Sequence, residues 1–152
     1  MTPSERLAAA GIALPPVAAP AGAYVPALRH GTTIVTSGQL PFVDGELPAR
    51  GKVGDGVSEE DAFRAARIAT LNAVAAAADA AGGVDAITRV LKLVVYVASA
   101  PSFTAQPRVA NGGSELLAEV FGEAGTHVRS AVGVAVLPLD TPVEVELTVA
   151  LD

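Results

Sequence analysis

THVRSAVGVAVLPLDTPVEVELTVA, residues 126–150, reads as two extended segments, about 127–137 and 142–151, split by the proline- and aspartate-punctuated LPLDTP. In the second segment Val143, Val145, Leu147, Val149 and Leu151 alternate with Glu144, Glu146, Thr148 and Ala150, so a strand there has one apolar face and one that begins with two carboxylates. The first segment is built of small and β-branched residues, yet a permanently charged guanidinium, Arg129, stands at its start.

Working backwards, RVLKLVVYVAS, residues 89–99, is apolar on both faces of a strand and is predicted to be central in a sheet. A helix is expected between these strands, over about 103–121, with Leu116, Leu117, Val120 and Phe121 as its core face; Pro107 and the Gly112–Gly113 pair weaken its first half. Ser58 followed by Glu59, Glu60 and Asp61 marks a second helix start, with a serine cap and acids at the positive end of the dipole. That helix runs to about Ala81, where Gly82 and Gly83 close it, and Phe63, Ala66, Thr70, Val74, Ile68, Leu71, Ala75 and Ala78 form a broad face to lie on a sheet. AYVPALRHGTTIVTSGQLP, residues 23–41, gives a hairpin of segments about 23–29 and 32–38, and FVDGELPARGKVGDG is a surface loop with room for one short strand. Thr2, Pro3 and Glu5 cap a short peripheral helix over 3–10. The order strand, strand, helix, strand, helix, strand, strand implies an α+β domain with the helices packed on one face of a mixed sheet, a single unit over residues 1–152 with 1–21 as an N-terminal extension.

Composition narrows the function. Ten Lys and Arg stand against 16 Asp and Glu, a formal charge of −6, which opposes phosphate backbones; no nucleic-acid partner is expected. There is no cysteine, and His30 and His127 are far apart with no ligand spacing, so neither a thiol nucleophile nor a metal site is expected, and no cofactor. GKVGDG matches no phosphate cradle, and Ser37 and Ser130 lack a nucleophile-elbow context. The N-terminus has no signal-peptide pattern and no stretch is long and apolar enough to span a bilayer, so a cytoplasmic protein with no membrane partner is expected. The core, poor in aromatics at 4%, must be made of small side chains at close approach.

The residues left for chemistry are few. A guanidinium such as Arg129 suits a bidentate grip on a carboxylate, its bland alternative being a surface or interface ion pair. Glu144 and Glu146 are either solvated acids or, beside an apolar cleft, groups that hold a water and move a proton. Tyr24 is either a packing residue or a hydrogen-bond donor to a ligand.

AYVPALRHGTTIVTSGQLP, the SGQLP segment at 37–41 above all, and RSAVGVAVLP followed by VEVE resemble the Rid family of reactive-intermediate deaminases, the YjgF-like proteins, in a longer branch of it. The resemblance runs from about Gly22 to the C-terminus. It implies a chorismate-mutase-like fold, a homotrimer with a pocket at each subunit boundary, and water addition to a small 2-enamine or 2-imine acid, giving a 2-keto acid and ammonia. By the same resemblance Arg129 binds the substrate carboxylate, Glu144 positions or activates water, and Tyr24, Ser37 and Gly38 line the cleft, with Asn111 near the family's pocket asparagine. Two positions depart from the family pattern: Ala131 replaces a frequent cysteine and Gly133 an acid. Those losses give weight to an alternative, a non-catalytic carboxylate-binding or regulatory trimer. A ribonuclease, a third reading attached to some relatives, fits poorly with the acidic balance.

Overall fold

The computed structural model describes residues 1–152. Its elements are α1 (Pro3–Ala9), β1 (Ala27–His30), β2 (Thr33–Thr36), β3 (Lys52–Val53), β4 (Gly56–Val57), α2 (Glu59–Ala81), β5 (Ile87–Ala98), α3 (Gln106–Phe121), β6 (Val128–Val134) and β7 (Val143–Leu151). The main sheet has the order β1-β2-β7-β5-β6, antiparallel except where β5 and β6 run parallel. That parallel pair needs a crossover, which α3 supplies. β3 and β4 form a separate two-stranded ribbon within the expected surface loop.

The fold class and element order match the sequence expectation, and the differences have local causes. The hairpin strands are shorter than expected, so Tyr24 precedes β1 while Ser37 and Gly38 follow β2. The cap of α2 forms as expected: the Asp61 amide donates to Ser58 Oγ at 3.0 Å, and Gly82 takes the left-handed conformation at the other end. The capping box at Thr2 and Glu5 is also present.

The α2 face that meets the sheet is a correction. Mostly alanines are buried there, with Thr70 and Val74, while Phe63, Ile68 and Leu71 are only half-buried. Alanine lets a helix axis approach closely, so the bulkier residues are displaced to its flanks. Ile68 and Leu71 instead line a groove beneath the N-terminal segment 13–19. The glycine pair does not break α3 either. A Cβ at Gly112 would overlap the Phe63 carbonyl oxygen, so the pair marks the crossing where the backbones of α2 and α3 nearly touch.

One hydrophobic cluster fills the space between the helices and the sheet, taking Val143, Val145, Leu147, Val149 and Leu151 from β7, Val90, Leu93, Val95 and Val97 from β5, and Leu116, Leu117, Val120 and Phe121 from α3. β5 is central as predicted, but its second face is not covered in the single chain. Val94 and Tyr96 are half-buried on that open face, and Val128 and Val132 of β6 are 66% and 42% exposed. An apolar sheet face left bare calls for another surface against it.

Candidate functional site

The predicted site residues fall into two groups, on opposite faces of the sheet. In the register of β5 with β6, Arg129 lies beside Leu93 and Ala131 beside Val95, so both point to the helix side. In the register of β5 with β7, Glu144 lies beside Tyr96, on the open side. Within one chain the two groups do not meet: β5 separates their strands, which puts about 10 Å between those strands alone.

The first group surrounds Arg129. This half-buried side chain stands on edge strand β6 and reaches α3, where its Nη1 donates to Asn111 Oδ1 at 2.8 Å and to Ser114 Oγ at 3.1 Å. Both acceptors are neutral. The ion pairs of the chain belong to Arg64, Arg67 and Arg108, and Arg129 has none. With both Nη1 hydrogens used, Nε–H and the two hydrogens of Nη2 are without an acceptor in the chain, and that edge is the one a carboxylate grips in bidentate fashion. A hollow of about 310 Å³, lined by Ser114, Ala118, Gly125, Thr126, His127 and Arg129, lies beside it. Ala131 adds no polar group and packs against the core.

The second group surrounds Glu144 at the start of β7, in a cavity of about 440 Å³ that Tyr24, Gly38, Leu40, Phe42 and Leu139 help to line. Glu144 is half-buried and has no hydrogen-bond partner in the chain, whereas Glu146 accepts from the Tyr96 hydroxyl at 3.0 Å. The two acids, equivalent by alternation, are thus separated: Glu146 is tied to its own sheet and Glu144 is free. Burial first, and the charge of Glu146 second, push the Glu144 carboxyl above its ordinary 4.5. A Cβ at Gly38 would stand 2.9 Å from Glu144 Cδ and overlap Oε1, so only a glycine lets the carboxylate lie there.

Ser37 and Tyr24 play different parts. The Ser37 hydroxyl donates to the Val25 carbonyl at 2.6 Å, bracing the turn that carries Tyr24, and is spent in doing so. The Tyr24 hydroxyl accepts from the Ala21 amide at 3.2 Å, which leaves its proton available to donate. Ala18, Ala19, Pro20 and Ala21 form another wall of the same cavity, so the N-terminal extension is part of the site's enclosure. That role had no signature in a run of alanine and proline. Ser114 and His127 were also missed as neighbours of Arg129, although the position of Ser114, three residues after Asn111 on one helix face, was a usable signal.

The model of the family described as "YjgF/chorismate mutase-like, putative endoribonuclease" matches residues 4–151. The chain belongs to this family. The YjgF-like chain is 45% identical to Protein TCP17 of Trypanosoma cruzi over 143 residues, covering 93% of this chain and 89% of that one. Its fold superposes on the crystal structure of an endoribonuclease, so named as a candidate, from Shewanella oneidensis with a TM-score of 0.95 at 38% identity, over 99% of this chain and all of the other. TdcF of E. coli, solved with bound serine, is 28% identical with a TM-score of 0.63, over 91% of this chain and 94% of that one. The Rid-type resemblance and the chorismate-mutase-like fold therefore stand. No helix of this YjgF-like chain is long and apolar enough to cross a membrane.

Proposed function

We propose that the protein hydrolyses small 2-imino or 2-enamino acids to 2-keto acids and ammonia, in clefts formed between copies of a homotrimer. The observation that carries this reading is Arg129, a half-buried cation with no acid of its own fold, three unbonded N–H groups and a hollow beside it. An ion pair within the chain would need a carboxylate in reach of the guanidinium, and none forms one with it. The relative TdcF was solved with serine, a small amino acid that carries a carboxylate, which supports a ligand of that class.

A complete site requires both groups. Arg129 stands on an edge strand and Glu144 borders the open face, which supports an assembly in which the Arg129 corner of one copy meets the Glu144 cavity of the next. The bare Val128 and Val132 on the open face are the apolar surface such an assembly covers, and the three-fold number follows the family resemblance.

In the reaction, the guanidinium holds the substrate carboxylate and leaves the C=N carbon facing Glu144. As a carboxylate, Glu144 takes a proton from water while the oxygen adds to that carbon. As an acid, it passes that proton to the imine nitrogen to give the carbinolamine; it then takes the proton of the new hydroxyl and gives it to the amino group, so that ammonia leaves as the C=O bond forms. Burial raises the proton affinity of the Glu144 carboxyl, which favours its taking a proton from water. The thiol absent at Ala131 has no part in these steps. The net charge of −6 opposes an RNA substrate for this chain.

The test follows an imino acid generated by a separate enzyme. The wild type should speed formation of the keto acid, and Arg129→Ala should return it to the spontaneous rate. An unaccelerated decay over several side chains would end the catalytic reading. A second reading, a carboxylate-binding or regulatory trimer, draws on Ala131 and Gly133, which bring no polar group to the Arg129 side. Calorimetric binding of a 2-keto acid without turnover would favour it.

A further inference from the structure

Arg129 is the first member of a hydrogen-bonded chain whose directions can be worked out atom by atom. His127 Nδ1 lies 2.6 Å from the Gly125 carbonyl oxygen, which can only accept, so Nδ1 carries a proton. In the neutral ring Nε2 is then an acceptor, and it lies 2.9 Å from Ser114 Oγ, so the serine hydroxyl donates to it. With its only proton committed to the imidazole, Ser114 can act toward Arg129 solely as an acceptor, at 3.1 Å from Nη1. The sequence of donations is therefore guanidinium to serine, serine to histidine, histidine to main chain.

This arrangement sets which edge of the guanidinium stays unbonded. Asn111 Oδ1 takes one Nη1 hydrogen and Ser114 the other, both acceptors belonging to α3, so the planar group is pinned at one nitrogen beside the hollow and Nε and Nη2 are left unbonded. A serine whose proton is not directed elsewhere rotates freely and accepts less well. The imidazole, itself anchored to a buried residue's carbonyl, removes that freedom.

We propose that Ser114 and His127 are positioning residues that orient Arg129 for carboxylate binding, with His127 acting as its neutral Nδ1–H tautomer. This rests on the reading that Arg129 binds the substrate carboxylate. The two residues border the hollow, and their effect on the anion passes through the guanidinium. They tune affinity for the anion, and the chemistry at Glu144 is left to that residue.

The experiment measures binding of 2-oxobutanoate and of its neutral carboxamide to the full chain by calorimetry. Ser114→Ala and His127→Phe should each weaken 2-oxobutanoate roughly tenfold, about the weight of one hydrogen bond to a charged group, while the carboxamide is unaffected. Ser114→Thr, which keeps the hydroxyl, should restore most of the affinity, and Ser114→Ala should cost nothing further in an Arg129→Ala background. Should Arg129→Ala weaken 2-oxobutanoate while Ser114→Ala does not, the positioning role is overturned and the binding reading survives. If Arg129→Ala itself binds like the wild type, the binding reading fails. Nitrogen NMR of the unmutated protein gives an answer independent of folding: the Nδ1–H tautomer at His127 is expected, and the Nε2–H tautomer would overturn the proposal.

Discussion

The Arg129 corner and the Glu144 cavity solve opposite problems. Arg129 is a charge that its surroundings favour: neutral acceptors on α3 hold one nitrogen, and the rest of the group remains open to an anion. Glu144 is a charge its surroundings disfavour, half-buried among apolar walls, with no donor of its own and a second acid nearby. The first is arranged to bind and the second to exchange a proton. Because one faces the helices and the other the open side of the sheet, either can be altered while its counterpart is left in place.

The largest effect is expected where both depend on one thing, the assembly. Val132→Lys puts a charge on the bare face of β6, pointing opposite to Arg129 and two strands from Glu144, across Tyr96. Light scattering should report monomers, and turnover should fall to background together with it; a fully active monomer would break the claim that the corners meet between copies. Next, Gly38→Ala should push the Glu144 carboxylate from its place and cut turnover about 100-fold, the scale of a misplacement near 1 Å, with 2-keto acid binding at Arg129 retained. Equal losses of binding and turnover would merge the two corners into one.

Two smaller effects sharpen the contrast. Gly112→Ala forces α2 and α3 apart and should cost about 1–3 kcal/mol in denaturant unfolding, an overpacking penalty. Since α3 carries Asn111 and Ser114, carboxylate affinity should fall as well, and the pH behaviour of Glu144 should not change. The smallest effect is Glu144→Gln on stability. A carboxyl whose folded pKa is raised binds more protons in the folded state, so it makes stability decline as pH rises from about the ordinary 4.5 through the higher folded value. The glutamine variant should lack that decline, seen as a flatter curve of melting temperature against pH in that window.

Much of the fold was legible because its signals are local. The Ser58 cap, the glycine stop at Gly82 and the strict alternation from Val143 to Leu151 each act over a few residues, and all three reappear in the structure. The α2 face was misread because hydrophobicity was taken to indicate burial. In a helix rich in alanine, close approach decides, and Ile68 and Leu71 end on the flank. Arg129 and Glu144 were found through the family motifs, their side chains being conspicuous as charges in apolar strands.

By itself, then, the sequence determined the element order, the limits of the helices, the family and which charged residues are out of place in their strands, since periodicity and capping depend on neighbours along the chain. Tertiary structure decided that Arg129 and Glu144 occupy opposite faces, that Glu146 is spent on Tyr96 while Glu144 is free, and that Ser114 and His127 stand behind the guanidinium. Those relations join residues far apart in number through strand register and helix crossing, and a one-residue shift in register would reverse the face of every side chain on a strand.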